Sequence, residues 1–352
     1  MSIDHKPPPP DLPDPTSEIR PVVRYVVGST LLMALAMGIG WDMAFLTPVL
    51  ALGFFAPGAS VPRFKEGMGF FGIITITTFS GFIFTKFFLD YILLFILLLA
   101  LALLSIFYTR RLSAKAKVFM LISLLLLPML GMQSIDLAYV FTQTFIMGAA
   151  ITILLVWLVY GLLPDKPGAG VKKEGTVPPG AAPSAEDRFR YALETLIIVF
   201  PVVLAFFFFQ WSGGLIILIF ITILSMQPSF NYKAGMAMIM GNLLGGIFAI
   251  VVYELLVMVP QYVFFILMVL ATALFFSSRL FSSNPKAPLF GMGFSTFLLI
   301  IGQSTSGTDD AGGKVWMRVL MIMIAVIYVV AAFSIMEAYK SRKKHKLNTS
   351  LI

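Results

Sequence analysis

The chain has no cysteine and only two histidines in 352 residues. Without thiols there are no disulfides and no thiolate chemistry. His5 and His345 lie near the two ends, outside every apolar run, so no imidazole is placed to act within those runs. No cluster of His, Asp and Glu offers transition-metal ligands, and no metal or other cofactor is expected. No Walker A sequence occurs, so ATP hydrolysis on this chain is not expected. Gly291-Met292-Gly293 lies in an apolar run and reads as close helix packing rather than a nucleotide loop. Charge is scarce as well: 12% of residues are charged, against roughly 25% in soluble domains. The absences together argue against an enzyme. No signal peptide is visible, and residues 1–19, with Pro7 to Pro10 and Asp11 to Asp14, read as a Pro-rich polar cytoplasmic tail.

Apolar residues are abundant, at 59% of the chain, and the mean hydropathy is +0.94. This is the composition of a polytopic membrane protein. A crossing needs about 20 apolar residues, and runs of roughly that kind occur at 22–40, 43–57, 67–87, 89–108, 117–133 and 136–163. After a break they resume at 191–209, 213–226, 235–257, 261–277, 286–303 and 313–337. The expectation is an all-α fold of twelve transmembrane helices, with six in 20–163 and six in 188–338. A polar linker, 164–187, and a basic tail, 339–352, complete the chain. The net charge of +8 would point to nucleic acid in a soluble chain, but the basic residues sit in short loops between apolar runs. If both termini are cytoplasmic, 22 of the 25 Lys and Arg fall on that side, leaving only Lys86, Lys314 and Arg318. That is the positive-inside pattern, so the partners expected are lipids and not nucleic acid.

The two halves echo one another. Lys65-Glu66-Gly67-Met68 is answered by Lys233-Ala234-Gly235-Met236, and Arg111-Leu112 by Arg279-Leu280, both 168 residues later. Arg24-Tyr25 pairs similarly with Arg190-Tyr191, and Trp41 with Trp211. Because each half has an even number of spans, the repeats are expected to share one orientation, related by an axis along the membrane normal. A duplicated multi-helix membrane unit is most often a transporter, with its pathway near the repeat interface.

The candidate pathway residues follow from the same physics. The run 43–57 is short and carries Thr47-Pro48, Gly53 and Pro57, and its counterpart 213–226 is short too. Paired short or interrupted spans expose backbone donors and acceptors, which need a cavity rather than lipid; ordinary short spans with Pro and Gly at their ends would read the same. Among the acids near or within the runs, Glu254 is the deepest and the candidate for proton coupling, because a buried carboxylate must be neutral, paired or hydrated. Asp42, Asp90 and Asp136 lie at run ends and would equally suit helix-end residues in water. Asn242, Gln143 and Gln303 are polar groups within spans, for ligand contact or for holding helices together. Arg24 and Arg190 hold equivalent places at the two repeat starts, suited to an anionic substrate or to plain topology.

Each half opens with an arginine-headed helix (Ile19-Arg20 to Arg24-Tyr25; Arg188-Phe189-Arg190-Tyr191). A Pro-containing short span follows (Phe45-Leu46-Thr47-Pro48-Val49), then a basic, glycine-led third helix (Arg63 to Gly67; Lys233 to Gly241). This arrangement resembles the fusaric acid resistance and aromatic acid exporter superfamily of bacterial inner membranes. The resemblance implies a multi-pass inner-membrane exporter of aromatic carboxylic acids or drug-like compounds, driven by proton antiport. It also implies coupling to a periplasmic membrane-fusion adaptor and an outer-membrane channel; among the short periplasmic loops, Ser304 to Asp310 would suit either a docking surface or a plain flexible loop. Larger members carry a cytoplasmic domain after each membrane half, whereas this chain has only a short linker and tail, as in a compact branch. The loop from Pro57 to Lys65 lacks the Asp-Arg core of the major facilitator type. A passive organic-anion channel and a non-transporting scaffold of an envelope assembly system are the alternatives.

Overall fold

The structure, a computed structural model, describes residues 15–41, 43–109, 114–164, 184–209, 232–305 and parts of 320–335. Among the described residues it is all helical, with ten helices and no strands. They are α1 (Pro15–Ile39), α2 (Leu46–Phe55), α3 (Phe64–Phe88), α4 (Ile92–Tyr108) and α5 (Ala114–Gln133). The series continues with α6 (Ile135–Leu162), α7 (Ala185–Phe209), α8 (Tyr232–Met258), α9 (Tyr262–Leu280) and α10 (Ala287–Thr305). Eight of them are long and apolar enough to cross a membrane, as expected of a multi-pass membrane protein. The ten helices coincide with ten of the twelve expected runs, with α2 and α4 shorter than the eight of crossing length. The span 213–226 lies outside the described residues, as does most of 313–337, where the described positions between 320 and 335 are helical. Residues 1–14, 165–183 and 336–352 and the Ser306–Asp310 part of the docking segment are outside as well, while α1 starts inside the expected 1–19 tail and α7 inside the expected 164–187 linker.

The 43–57 run is corrected at both ends. Its helix begins only at Leu46 and stops at Phe55, because Gly40 and Met43 turn the chain with φ of 72° and 56°. Met43 has a Cβ and adopts that conformation at a steric cost. At the far end Ala56 is extended (φ −60°, ψ 159°), the conformation demanded of a residue that precedes proline. Pro48 therefore does not interrupt a helix. It sits in the first turn of α2, where the backbone N–H has no intrahelical partner to lose.

The helices pack in two matching sets. Within the first half α3 lies along α5; within the second, α8 lies along α10. Across the halves, α1 packs on α9 and α4 packs on α7. By the 168-residue offset α7 corresponds to α1 and α9 to α4, so the two cross-half pairs are one contact made twice with the partners exchanged. This is the pairing expected if a pseudo-two-fold axis relates the halves. Tyr25 of α1 fills one of these seams, fully buried with its ring 5.8 Å from that of Phe281 and 5.6 Å from that of Phe294. Phe95 and Phe207, 5.2 Å apart, fill the other. The Tyr262 hydroxyl also donates to the Ala34 carbonyl, tying the start of α9 to α1.

Close backbone approach holds the α8–α10 pair. A Cβ on Gly245 would lie 2.0 Å from the Gly293 carbonyl oxygen, and one on Gly241 2.8 Å from that of Leu289. In apolar surroundings such small-residue contacts carry helix association, because lipid leaves little hydrophobic force to do so. Both pairs add one buried side-chain hydrogen bond. Thr296 donates to Asn242 Oδ1 at 2.5 Å in α8–α10, and Ser123 donates to Thr78 at 3.3 Å in α3–α5.

Candidate substrate pathway

Helix α2 rises only about 15 Å at its ten residues, half of a hydrocarbon core of about 30 Å. It lies inside the bundle, packed on α1 and α6, with Thr47, Pro48, Ala51, Leu52, Phe54 and Phe55 buried. Two side chains of α6 donate to carbonyls of α2, and one of them, Tyr160, meets an orphan carbonyl in the last turn of the half-length helix. Thr152 donates to the Thr47 carbonyl at 3.1 Å, while also bonding the Gly148 carbonyl at 2.8 Å. Gly148 allows this approach, because a Cβ there would stand 3.0 Å from the Thr47 hydroxyl. One end further along, Tyr160 donates to the Phe54 carbonyl at 2.7 Å.

Tyr160 also connects α2 to α1. The Arg24 guanidinium lies over its ring at 4.1 Å, and Arg24 Nε donates to the Leu163 carbonyl at 3.2 Å. Leu163 is the C-cap of α6, the end at which a helix carries partial negative charge and orphan carbonyls. At 3% exposure Arg24 is the one charged residue in the buried set among the described residues. Its chemistry there is that of a clasp joining α1, α6 and α2, with the cation stabilised by the ring and the helix end.

The chain from Ala56 to Arg63 is not helical, and it is held from two directions. Trp157 Nε1 donates to the Pro62 carbonyl at 3.0 Å, and its ring stacks on Phe64 at 5.6 Å. Gly67 makes room for this indole: a Cβ there would lie 2.5 Å from Trp157 Cζ2. Glu66, in the first turn of α3, accepts the Arg63 backbone N–H at 3.0 Å, half of a capping box. Between this segment, the end of α2, α3 and α5 lies a cavity of about 500 Å³. Phe54, Phe70 and Phe119 line it, their rings meeting edge to face at 5.0 and 5.6 Å. Ser60 and Glu66 supply polar groups at its wall. The opposite end of the bundle has a second cavity of about 430 Å³, lined by Met37, Tyr253, Gln261, Tyr262 and Thr305 among others, with no charged residue.

The residues named from sequence thus separate. Thr47, Pro48 and Arg24 come together around α2. Asn242 is buried in the α8–α10 contact as interhelical glue. Arg190 is exposed and pairs with Glu194 one turn along its own helix, at 3.5 Å. Glu254 is on an exposed face of α8, one turn before its end, beside exposed Val251, Leu255 and Met258; depth along the sequence did not translate into burial, because burial follows the side of the helix. Asp42 lies outside the described residues. Asp90 and Asp136 are exposed, the latter in the first turn of α6 with its N–H bonded to Ser134. Sequence reasoning did not weigh Tyr160, Thr152, Trp157 or Glu66. A tyrosine near the end of the apolar run of α6, whose hydroxyl must find a partner when buried, was the available signal. No candidate group of metal ligands occurs among the described residues. The chain matches no protein-family model, no curated protein and no solved structure.

Proposed function

We propose that this protein is a secondary transporter of the bacterial inner membrane that exports amphipathic, aromatic or drug-like compounds against proton entry. The observation that carries the reading is α2, a half-length helix inside the bundle whose end opens on a cavity walled by non-helical backbone. Short and discontinuous helices of this kind are what transporters build substrate sites from. The exchanged helix pairs α1–α9 and α4–α7 supply a second support: rocking one half on the other would open the two ends alternately. The arginine-headed helices and the Pro-containing short span, which resemble those of aromatic acid exporters, support the same reading.

The test is flux in proteoliposomes containing the full chain, using fluorescent aromatic compounds with and without an imposed pH gradient. Uphill movement that stops when the gradient is collapsed is the expected result. Flux that persists downhill after collapse would replace the exporter with a channel, and no flux for any compound would leave a scaffold.

A further inference from the structure

The cavity beside α2 carries a charge sign that the exporter reading leaves open. Its apolar wall is three phenyl rings, Phe54, Phe70 and Phe119, and its polar wall includes Glu66 and Ser60. Among the described residues Glu66 is the one charged residue lining it, and Arg63 and Lys65, although next to it in sequence, are exposed and form none of its wall. Gly53 and Phe54 bring the last turn of α2 to the same space, and a helix C-terminus presents carbonyl oxygens and partial negative charge. The carboxylate, the carbonyl oxygens of α2 and the ring faces at the wall favour a positive guest, opposed only by the partial charge of the first turn of α3. An aromatic carboxylate would meet like charge there, which disfavours it.

We infer that this cavity binds amphipathic aromatic cations, with the ligand's rings against Phe54, Phe70 and Phe119 and its positive centre toward Glu66. This rests on the transporter reading for its biological use, since it names the substrate class of the same site, but the binding itself does not depend on transport. The volume of about 500 Å³ falls within the range of small-molecule sites, roughly 300–1,000 Å³. The surrounding loop is already fixed by Trp157 and by the Glu66 cap, so little ordering is needed on binding.

The experiment is equilibrium binding of tetraphenylphosphonium to the full chain in nanodiscs of anionic lipid, with empty nanodiscs as the partition control and 1-naphthoate as the anionic competitor. Saturable tetraphenylphosphonium binding that naphthoate does not displace is expected. Glu66→Gln keeps the capping hydrogen bond, since Gln also serves at that position, and removes the charge; because Glu66 is exposed, affinity should fall roughly fivefold. Ser60→Lys, in an exposed loop position, should abolish cation binding and admit naphthoate. Naphthoate binding to the wild type, strengthened by Glu66→Gln, would overturn the inference, and so would cation uptake equal to that of empty nanodiscs. Saturable cation binding without proteoliposome flux would retire the transporter reading and leave the site standing.

Discussion

Arg24 and Arg190 begin equivalent helices with the same Arg-Tyr pair and end up in opposite circumstances. The local structure is shared: Ser29 bonds the Tyr25 carbonyl at 2.7 Å, and Thr195 bonds the Tyr191 carbonyl at 2.9 Å, four residues on in each case. Tyr160 and Tyr328, 168 residues apart, both donate to a backbone carbonyl of another segment, of Phe54 and of Ile198. Yet Arg24 is buried over the Tyr160 ring and caps α6, while Arg190 is exposed and pairs with Glu194. Similar sequence gives a similar helix start; the neighbour that arrives at that start decides whether the arginine becomes a structural clasp or a solvated charge.

The largest effect that would sharpen the comparison between halves lies in their tight helix pairs. Gly245→Ala drives a Cβ toward a backbone carbonyl 2.0 Å away, whereas Gly81→Ala meets Ser123 and Leu127 at 3.0 Å. We expect Gly245→Ala to cost about 3 kcal/mol and Gly81→Ala about 1 kcal/mol, read as thermal unfolding of the purified protein by tryptophan fluorescence. An equal or reversed ranking would mean that the second half is not the more closely packed pair. Next come the arginines. Arg24→Ala removes a buried cation from a ring and a helix end and should cost about 2 kcal/mol; Arg190→Ala should change stability by less than about 0.5 kcal/mol. Similar losses at both would restore functional equivalence to the two residues. The smallest effect is the interhelical hydrogen bond. A double-mutant cycle on Asn242 and Thr296 should give a coupling of about 0.6 kcal/mol, with a lower value for Thr78 and Ser123, whose bond is longer. Zero coupling at Asn242 would release it from a packing role and return it to the list of ligand contacts.

The helices themselves were legible, because an apolar run of crossing length has few alternatives in lipid and the Lys and Arg between runs mark the turns. Their ends were less so. The start of α2 depends on Met43, a residue with a Cβ in a left-handed conformation, which nothing in its side chain announces. The short span is distinctive in the structure through its length and not through Pro48, which occupies a harmless first-turn position. Glu254 illustrates the remaining gap. Ranking acids by distance from a run's end measures depth only, and the outward rotation of α8 at that residue is set by Gly241 and Gly245 pressing the opposite side onto α10. Glu66, quoted as part of a repeated motif, became a cavity residue only once α5 had brought Phe119 to face it.

The exchange of partners between halves also bears on how the molecule is made. The face of α1 that carries Tyr25 is completed by Phe281 and Phe294, which leave the ribosome some 250 residues later. At about 5–20 residues per second, α1 waits on the order of ten seconds or more in the bilayer with that face uncovered. Lipid can occupy it in the interval without penalty, so the first half can insert early and still mature late. Assembly is then governed by the arrival of α9, and a ribosome that stalls beyond the linker leaves behind an inserted but unfinished bundle.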